Sequence, residues 1–182
     1  MKLRLIALVA VLGGLGCLAA CSKPGADPSM ASVKYDTNLQ MAEFMGHVVD
    51  PAAFGFWRGS GSEETVEGTR ELAPTTDEGW EALETSAATL IEAGNMLQLP
   101  GRARDPEGHW NKYAQDLSAR AAEGKLAAFK KDKVAVFETG AKIFQVCEAC
   151  HAEYVIGPQI KANGPAIADP LPAWPADLPK KK

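Results

Sequence analysis

The sequence predicts an all-α fold, an antiparallel four-helix bundle, and three observations carry that expectation. Apolar residues recur at helical spacing in four separate stretches. The stretches are joined mostly by short connections, which favours up-down-up-down packing. No stretch alternates apolar and polar residues between hairpin turns, so no sheet is expected.

The first stretch is Met41, Phe44, Met45 and Val48, a stripe at i, i+3, i+4 and i+7. Asp50-Pro51 then reads as a cap followed by proline at the first helical position, restarting the chain toward Phe54 and Trp57. Gly59 to Thr76 is polar and reads as a loop. The second helix starts near Asp77, an N-cap with Glu78 in the first turn. Its face is Trp80, Leu83, Ala87, Leu90, Ile91 and Leu97, and Pro100-Gly101 ends it.

Trp110, Tyr113, Ala114, Leu117 and Ala121 mark a third helix. Gly124 interrupts it, and Leu126 and Phe129 continue the face past a kink. The fourth begins at Asp132 and runs through Phe137, Ile143, Phe144 and Cys147 to about Tyr154, where Gly157-Pro158 stops it. Trp80, Trp110 and Phe137 read as core.

The two ends differ from this middle. Lys2 and Arg4 precede an apolar run from Leu5 to Leu15, the charged start and apolar centre of a bacterial export signal. The run is too short for a membrane span, which needs about 20 apolar residues. Leu18-Ala19-Ala20-Cys21 resembles the lipobox of bacterial lipoproteins, which makes Cys21 the lipidated first residue of the mature chain. Ser22, where an aspartate would signal inner-membrane retention, points to the outer membrane. Residues 1–20 are thus a signal peptide and 21–34 a flexible tether. Residues 35–156 form the helical domain, and 157–182 a proline-rich, unpacked tail ending in three lysines.

Loss of Lys2 and Arg4 leaves 17 basic against 23 acidic residues, a net charge of −6. That balance argues against nucleic acid, which wants clustered Lys and Arg. It also suggests basic docking faces on any protein partner. No nucleophile, base and acid constellation appears, so the chain does not read as an enzyme.

Cysteine usage is selective. Cys17 leaves with the leader and Cys21 is the lipid site, so only Cys147 and Cys150 remain in the domain. A bridge between them would close too small a loop to stabilise much. Cys147-Glu148-Ala149-Cys150-His151 is instead the c-type haem attachment pentapeptide. Two cysteines one turn apart can add across two vinyl groups on one edge of a porphyrin, and the histidine directly after is held beneath the metal. Two rivals use the same residues. A thioredoxin-like pair normally opens a helix within a βαβ unit. A zinc site would recruit Cys147, Cys150 and His151 with His47 or His109. A chance match also fits a motif of three set positions.

The pentapeptide lies near the end of the fourth helix, and in this the chain resembles the class II cytochromes c, the cytochrome c-prime family. The matching stretches are Met45 to Ala53, Ala73-Pro74 before Trp80, Pro100-Gly101-Arg102, and Phe144 to Tyr154. The resemblance implies a four-helix bundle with one covalent haem c on the fourth helix. Cys147 and Cys150 would be the thioether sites, His151 the proximal iron ligand, and Tyr154 part of the matched motif. Many members follow that tyrosine with a basic residue near the haem propionates; here it is Val155, which leaves Arg102 or Arg104 as substitutes. A methionine on the first helix fills the sixth iron position in low-spin members, which names Met45 first and Met41 second. His47 falls on the opposite side of that helix and is expected to be exposed.

The function expected is a lipid-anchored, periplasm-facing electron carrier with transient redox protein partners and membrane attachment at Cys21. Family members are often dimers, so a homodimer is an expectation by analogy only. Two alternatives stay open: a five-coordinate haem protein that binds carbon monoxide or nitric oxide, and a lipoprotein subunit in which haem is structural.

Overall fold

The computed structural model describes residues 34–105 and 107–164. The signal peptide, Cys21, the tether before Lys34 and the tail beyond Gly164 lie outside the described residues. The described residues are mostly helical, with four helices and one small hairpin among them. The first helix, α1, runs from Met41 to Trp57 in three consecutive pieces. These are an α-helical turn Met41–Phe44, a π-helical segment Met45–Val49 and an α-helical segment Asp50–Trp57. Asp50 has helical backbone angles, φ −59° and ψ −47°, so it is not the expected cap and the helix is not broken there. Pro51 cannot donate to the turn behind it and its ring crowds that turn. Widening the preceding turn to π geometry carries the chain past the ring while keeping it helical.

α2 is Asp77–Leu97. Its cap is Thr76, one residue before the expected Asp77, and the Thr76 hydroxyl accepts from the Gly79 N–H at 3.2 Å. Asp77 and Glu78 fill the first turn, where their charge meets the positive end of the helix dipole. At the other end Trp110 Nε1 donates to the Leu97 carbonyl at 2.7 Å, satisfying an acceptor that the helix end leaves open.

α3 is Trp110–Phe129 and passes through Gly124 without a break. The reason for the glycine is packing: a Cβ there would lie 2.7 Å from Cζ of buried Phe56. Leu126 and Phe129 are 52% and 67% exposed, so they do not continue the inner face; Ala127 and Ala128 do. Small side chains along this face let α2 and α3 approach closely.

α4 starts at Lys133, capped by Asp132, whose carboxylate accepts from the N–H groups of Val134 and Ala135. It comprises Lys133–His151, a π segment Ala152–Ile156 and a final stretch Gly157–Asn163. Gly157-Pro158 therefore does not stop the helix, and the helical chain extends past the boundary expected at residue 156. As in α1, a π segment stands immediately before an X-Pro pair. Arg104 Nη1 donates at 3.0 Å to the carbonyl of Tyr154, four residues before the proline that brings no N–H of its own. Gly164, with φ +77°, ends the helix. Phe137, expected in the core, is 57% exposed.

The Gly59–Thr76 stretch is not all loop, contrary to expectation. β1 (Ser62–Thr65) pairs antiparallel with β2 (Gly68–Glu71), Thr65 opposite Gly68, around a two-residue turn. Almost every side chain in it is exposed, so no burial pattern marks it in the sequence. Backbone pairing is supplemented by Thr69 Oγ1 donating to Glu64 and Arg70 bonding Glu63. Gly68, at φ +123°, supplies the left-handed backbone the turn requires.

The helices pack sequentially, α1 on α2, α2 on α3 and α3 on α4, and α4 returns to α1. Phe44, Phe56, Leu90, Val136 and Ile143 are the large side chains fully withdrawn from solvent between them. Trp57 joins α1 to α4 by donating from Nε1 to the Gly140 carbonyl at 3.0 Å. No described helix is long and apolar enough to cross a membrane.

Candidate functional site

On α4 the inward stripe is Val136, Thr139, Gly140 and Ile143, and its next members are Val146, Cys147, Cys150 and Tyr154. Burial is complete in the first group and partial in the second. Past Ile143 the packed interior gives way to a cavity of about 370 Å³. Its α4 wall includes Phe144, Cys147, Cys150, His151 and Ile156. Residues at i, i+3 and i+4 share a helix face, which is why Cys147, Cys150 and His151 reach it together.

α1 supplies the opposite wall with Met45, Val49, Asp50, Ala53, Phe54 and Trp57. Met41 and Met45 both pack against the core cluster, and of the two Met45 lines the cavity. The π segment starts at Met45, so the widened turn falls between these two side chains and the wall that follows. α3 closes the floor with Trp110, Tyr113, Ala114 and Leu117, and Leu97 adds the end of α2. The wall is apolar except for Tyr113, the two thiols, and Asp50, Glu148 and His151, which are exposed to solvent.

Cys147 and Cys150 are unpaired thiols. Burial pushes Cys147 up to about 11, and the neighbouring Cys150 and the Asp50 carboxylate push the same way. Cys150 is also raised, by burial and then by Glu153, with the Arg104 guanidinium pulling partly back. A redox dithiol needs a thiolate and an electropositive surrounding. These two thiols are held protonated, which opposes the thioredoxin-like reading. The hairpin far along the chain is also not a βαβ unit.

The zinc reading also lacks its ligands. Among the described residues no three His, Cys, Asp or Glu side chains are grouped to hold a metal ion by themselves. His47 is exposed on α1, as expected, and His109 Nδ1 lies 3.2 Å from the Glu153 carboxylate.

Tyr154 does not line the cavity. Its hydroxyl donates to the Asp105 carboxylate, whose oxygens lie 2.6 and 2.7 Å away, and its ring meets Trp110 edge-on at 5.0 Å. It therefore touches the cavity through Trp110. Burial and the Asp105 carboxylate both hold its hydroxyl proton more tightly than in an ordinary tyrosine. Tyr113, which does line the cavity, is raised as well because its hydroxyl donates to Glu153 at 3.0 Å.

Neither arginine of the α2–α3 connection is simply solvated. Arg104 lies over Trp110, 5.7 Å from the ring centroid, while bonding the Tyr154 carbonyl. Arg102 stacks over Phe44 at 4.6 Å, and its Nε and Nη1 are buried with no hydrogen-bond partner.

Sequence reasoning named the α4 residues and Met45 but read Trp110 as core alone and did not single out Asp50, Phe54 or Leu117. The pairing of Trp110 with Tyr113, three residues apart, was the one signal in α3, and it is equally the signal of a buried face. No family model matches the chain, and neither curated proteins nor solved structures yield a match to it.

Proposed function

We propose that the chain is a lipid-anchored cytochrome of the periplasm, a four-helix bundle holding one covalent haem c and passing single electrons between transient protein partners. One observation carries this reading. Two thiols, an imidazole and a thioether, from sequence positions 147, 150, 151 and 45, share the wall of one apolar cavity. The cavity volume of about 370 Å³ falls within the range of about 300–1,000 Å³ common for cofactor sites. The donor set also suits haem better than a bare ion, since the porphyrin itself supplies the equatorial nitrogens that this wall does not.

Haem bound here supplies an iron that exchanges one electron at a time. The chain's own residues do the rest. Cys147 and Cys150 would hold the group covalently through two thioethers. His151 offers an imidazole nitrogen as proximal ligand. Met45 offers a thioether on the facing wall, a ligand that favours the ferrous state and raises the reduction potential. Val49, Ala53, Leu117 and Trp110 exclude water, which tunes the potential further. Asp50 and Glu148 leave carboxylates at the cavity's edge, suited to a partner with a basic docking face. Attachment at Cys21, in the outer membrane, belongs to the same proposal.

The test is a pyridine haemochrome spectrum of denatured protein made in a host with the haem-attachment machinery. A band typical of two thioethers is expected, altered in Cys147→Ala and in Cys150→Ala. Absence of covalent haem in the unsubstituted chain overturns the reading.

A further inference from the structure

A second recess lies beside the cavity, between the end of α1 and the outer side of α4. It measures about 440 Å³ and is lined by Trp57, Phe137, Ala141, Phe144 and Glu148 among others. The α4 positions 137, 141, 144 and 148 form one stripe, so the recess is a groove along the helix axis. Phe137 and Phe144 are 57% and 55% exposed. Trp57 meets Phe144 edge-on at 6.0 Å and Phe54, itself 49% exposed, at 5.6 Å. Aromatic side chains gathered in this way, rather than scattered singly, mark a binding surface.

We propose that this groove receives the chain's own C-terminal segment, Pro165–Lys182, with Trp174 seated on Phe144. Three observations select that occupant. The first is chemical: the segment holds five prolines around Leu171 and Trp174. Proline-rich segments dock on aromatic-lined grooves because little entropy is left to lose.

The second is length. Phe144 to Gly164 is 20 residues of helical chain, about 30 Å at about 1.5 Å per residue. Gly164 to Trp174 is 10 residues, about 31 Å at the polyproline rise of about 3.1 Å. Gly164 has φ +77°, a backbone suited to reversing direction. A segment returning along α4 brings Trp174 level with Phe144.

The third is charge. The groove leads to the hairpin, because Gly61 at its base abuts the Phe137 ring. The hairpin carries Glu63, Glu64, Glu67 and Glu71 against the single Arg70, and the chain ends in Lys180, Lys181 and Lys182. Tethering also gives the segment an effective concentration in the millimolar range, so weak contacts suffice.

Trp57, Phe144 and Glu148 belong to both the groove and the cavity. The inference needs only the groove and the segment, and it stands or falls independently of the haem reading.

Hydrogen exchange on the full chain tests it, comparing the natural sequence with Leu171→Ser/Trp174→Ser and with Lys180, Lys181 and Lys182 all changed to Glu. The double serine variant is expected to exchange several-fold faster at residues 57–61 and 137–148. A peptide of residues 165–182 added to it restores the protection. The glutamate variant is expected to fall between the two, with the difference shrinking in salt. Identical exchange in all three chains overturns the proposal. Protection that grows with protein concentration also overturns it, since the groove would then be covered by a second copy.

Discussion

The Tyr154 hydroxyl and the Asp105 carboxylate, 49 residues apart, meet at 2.6 Å and tie the α2–α3 connection to the end of α4. Asp105 also accepts from the Trp110 N–H at 3.2 Å, so one carboxylate holds both the start of α3 and the turn after His151. Tyr154→Phe is expected to lower stability by about 1–2 kcal/mol in denaturant unfolding. The pH dependence follows from the raised pKa of Tyr154. Its contribution is full below the ordinary tyrosine value of about 10 and is lost as pH climbs above that through the folded value. Tyr154→Phe should therefore flatten the alkaline fall in stability; an unchanged fall would remove the contact from the account.

Met45 and Met41 give a matched pair of substitutions. Met45→Ala is expected to open the sixth iron position, lower the reduction potential and allow fast, stoichiometric carbon monoxide binding to the ferrous protein. Met41→Ala should leave the spectrum alone, because its half-buried side chain packs against the core cluster and is not on the cavity wall. Fast carbon monoxide binding by the unsubstituted protein would favour a five-coordinate gas-binding site and exclude Met45 as ligand.

In the chain made without haem, Cys147 should react slowly. A rise from the ordinary value near 9 to about 11 cuts the thiolate fraction at pH 8 about 100-fold. Alkylation followed by mass spectrometry, with and without denaturant, measures that difference. Because the folded value is the higher one, the thiol's contribution to stability holds below about pH 9 and is lost toward pH 11. Labelling of folded Cys147 at the unfolded rate would show the cavity wall open at that point.

Arg102 is not on the cavity wall, so its substitution tests whether the proposed haem's carboxylates reach it. With Nε and Nη1 buried and unpartnered, Arg102→Met should leave the haem-free chain as stable or make it more so. If a propionate carboxylate satisfies those donors, the same substitution should lower the melting temperature of the loaded chain and shift its reduction potential. Equal effects in the two forms would take Arg102 out of the site.

Much was legible in the residues alone. The period of Trp80, Leu83, Ala87 and Leu90 is a helix face wherever it occurs, and these four are buried in α2. The spacing of Cys147, Cys150 and His151 puts all three on one side of any helix that carries them. Local geometry decides both, so the sequence determined them by itself. The tertiary structure decided the rest, because each depends on what a segment packs against. Gly124 reads as a break until Phe56 is found in the space where its Cβ would stand. Gly157-Pro158 reads as a stop until a π segment and Arg104 accommodate the proline. Met45 and Met41 share a stripe and both pack against the core, and only the position of α4 and α3 opposite α1 sets Met45 on the cavity wall. The hairpin at Ser62–Glu71 buries almost nothing, so no apolar pattern could have announced it; its backbone pairing holds it instead.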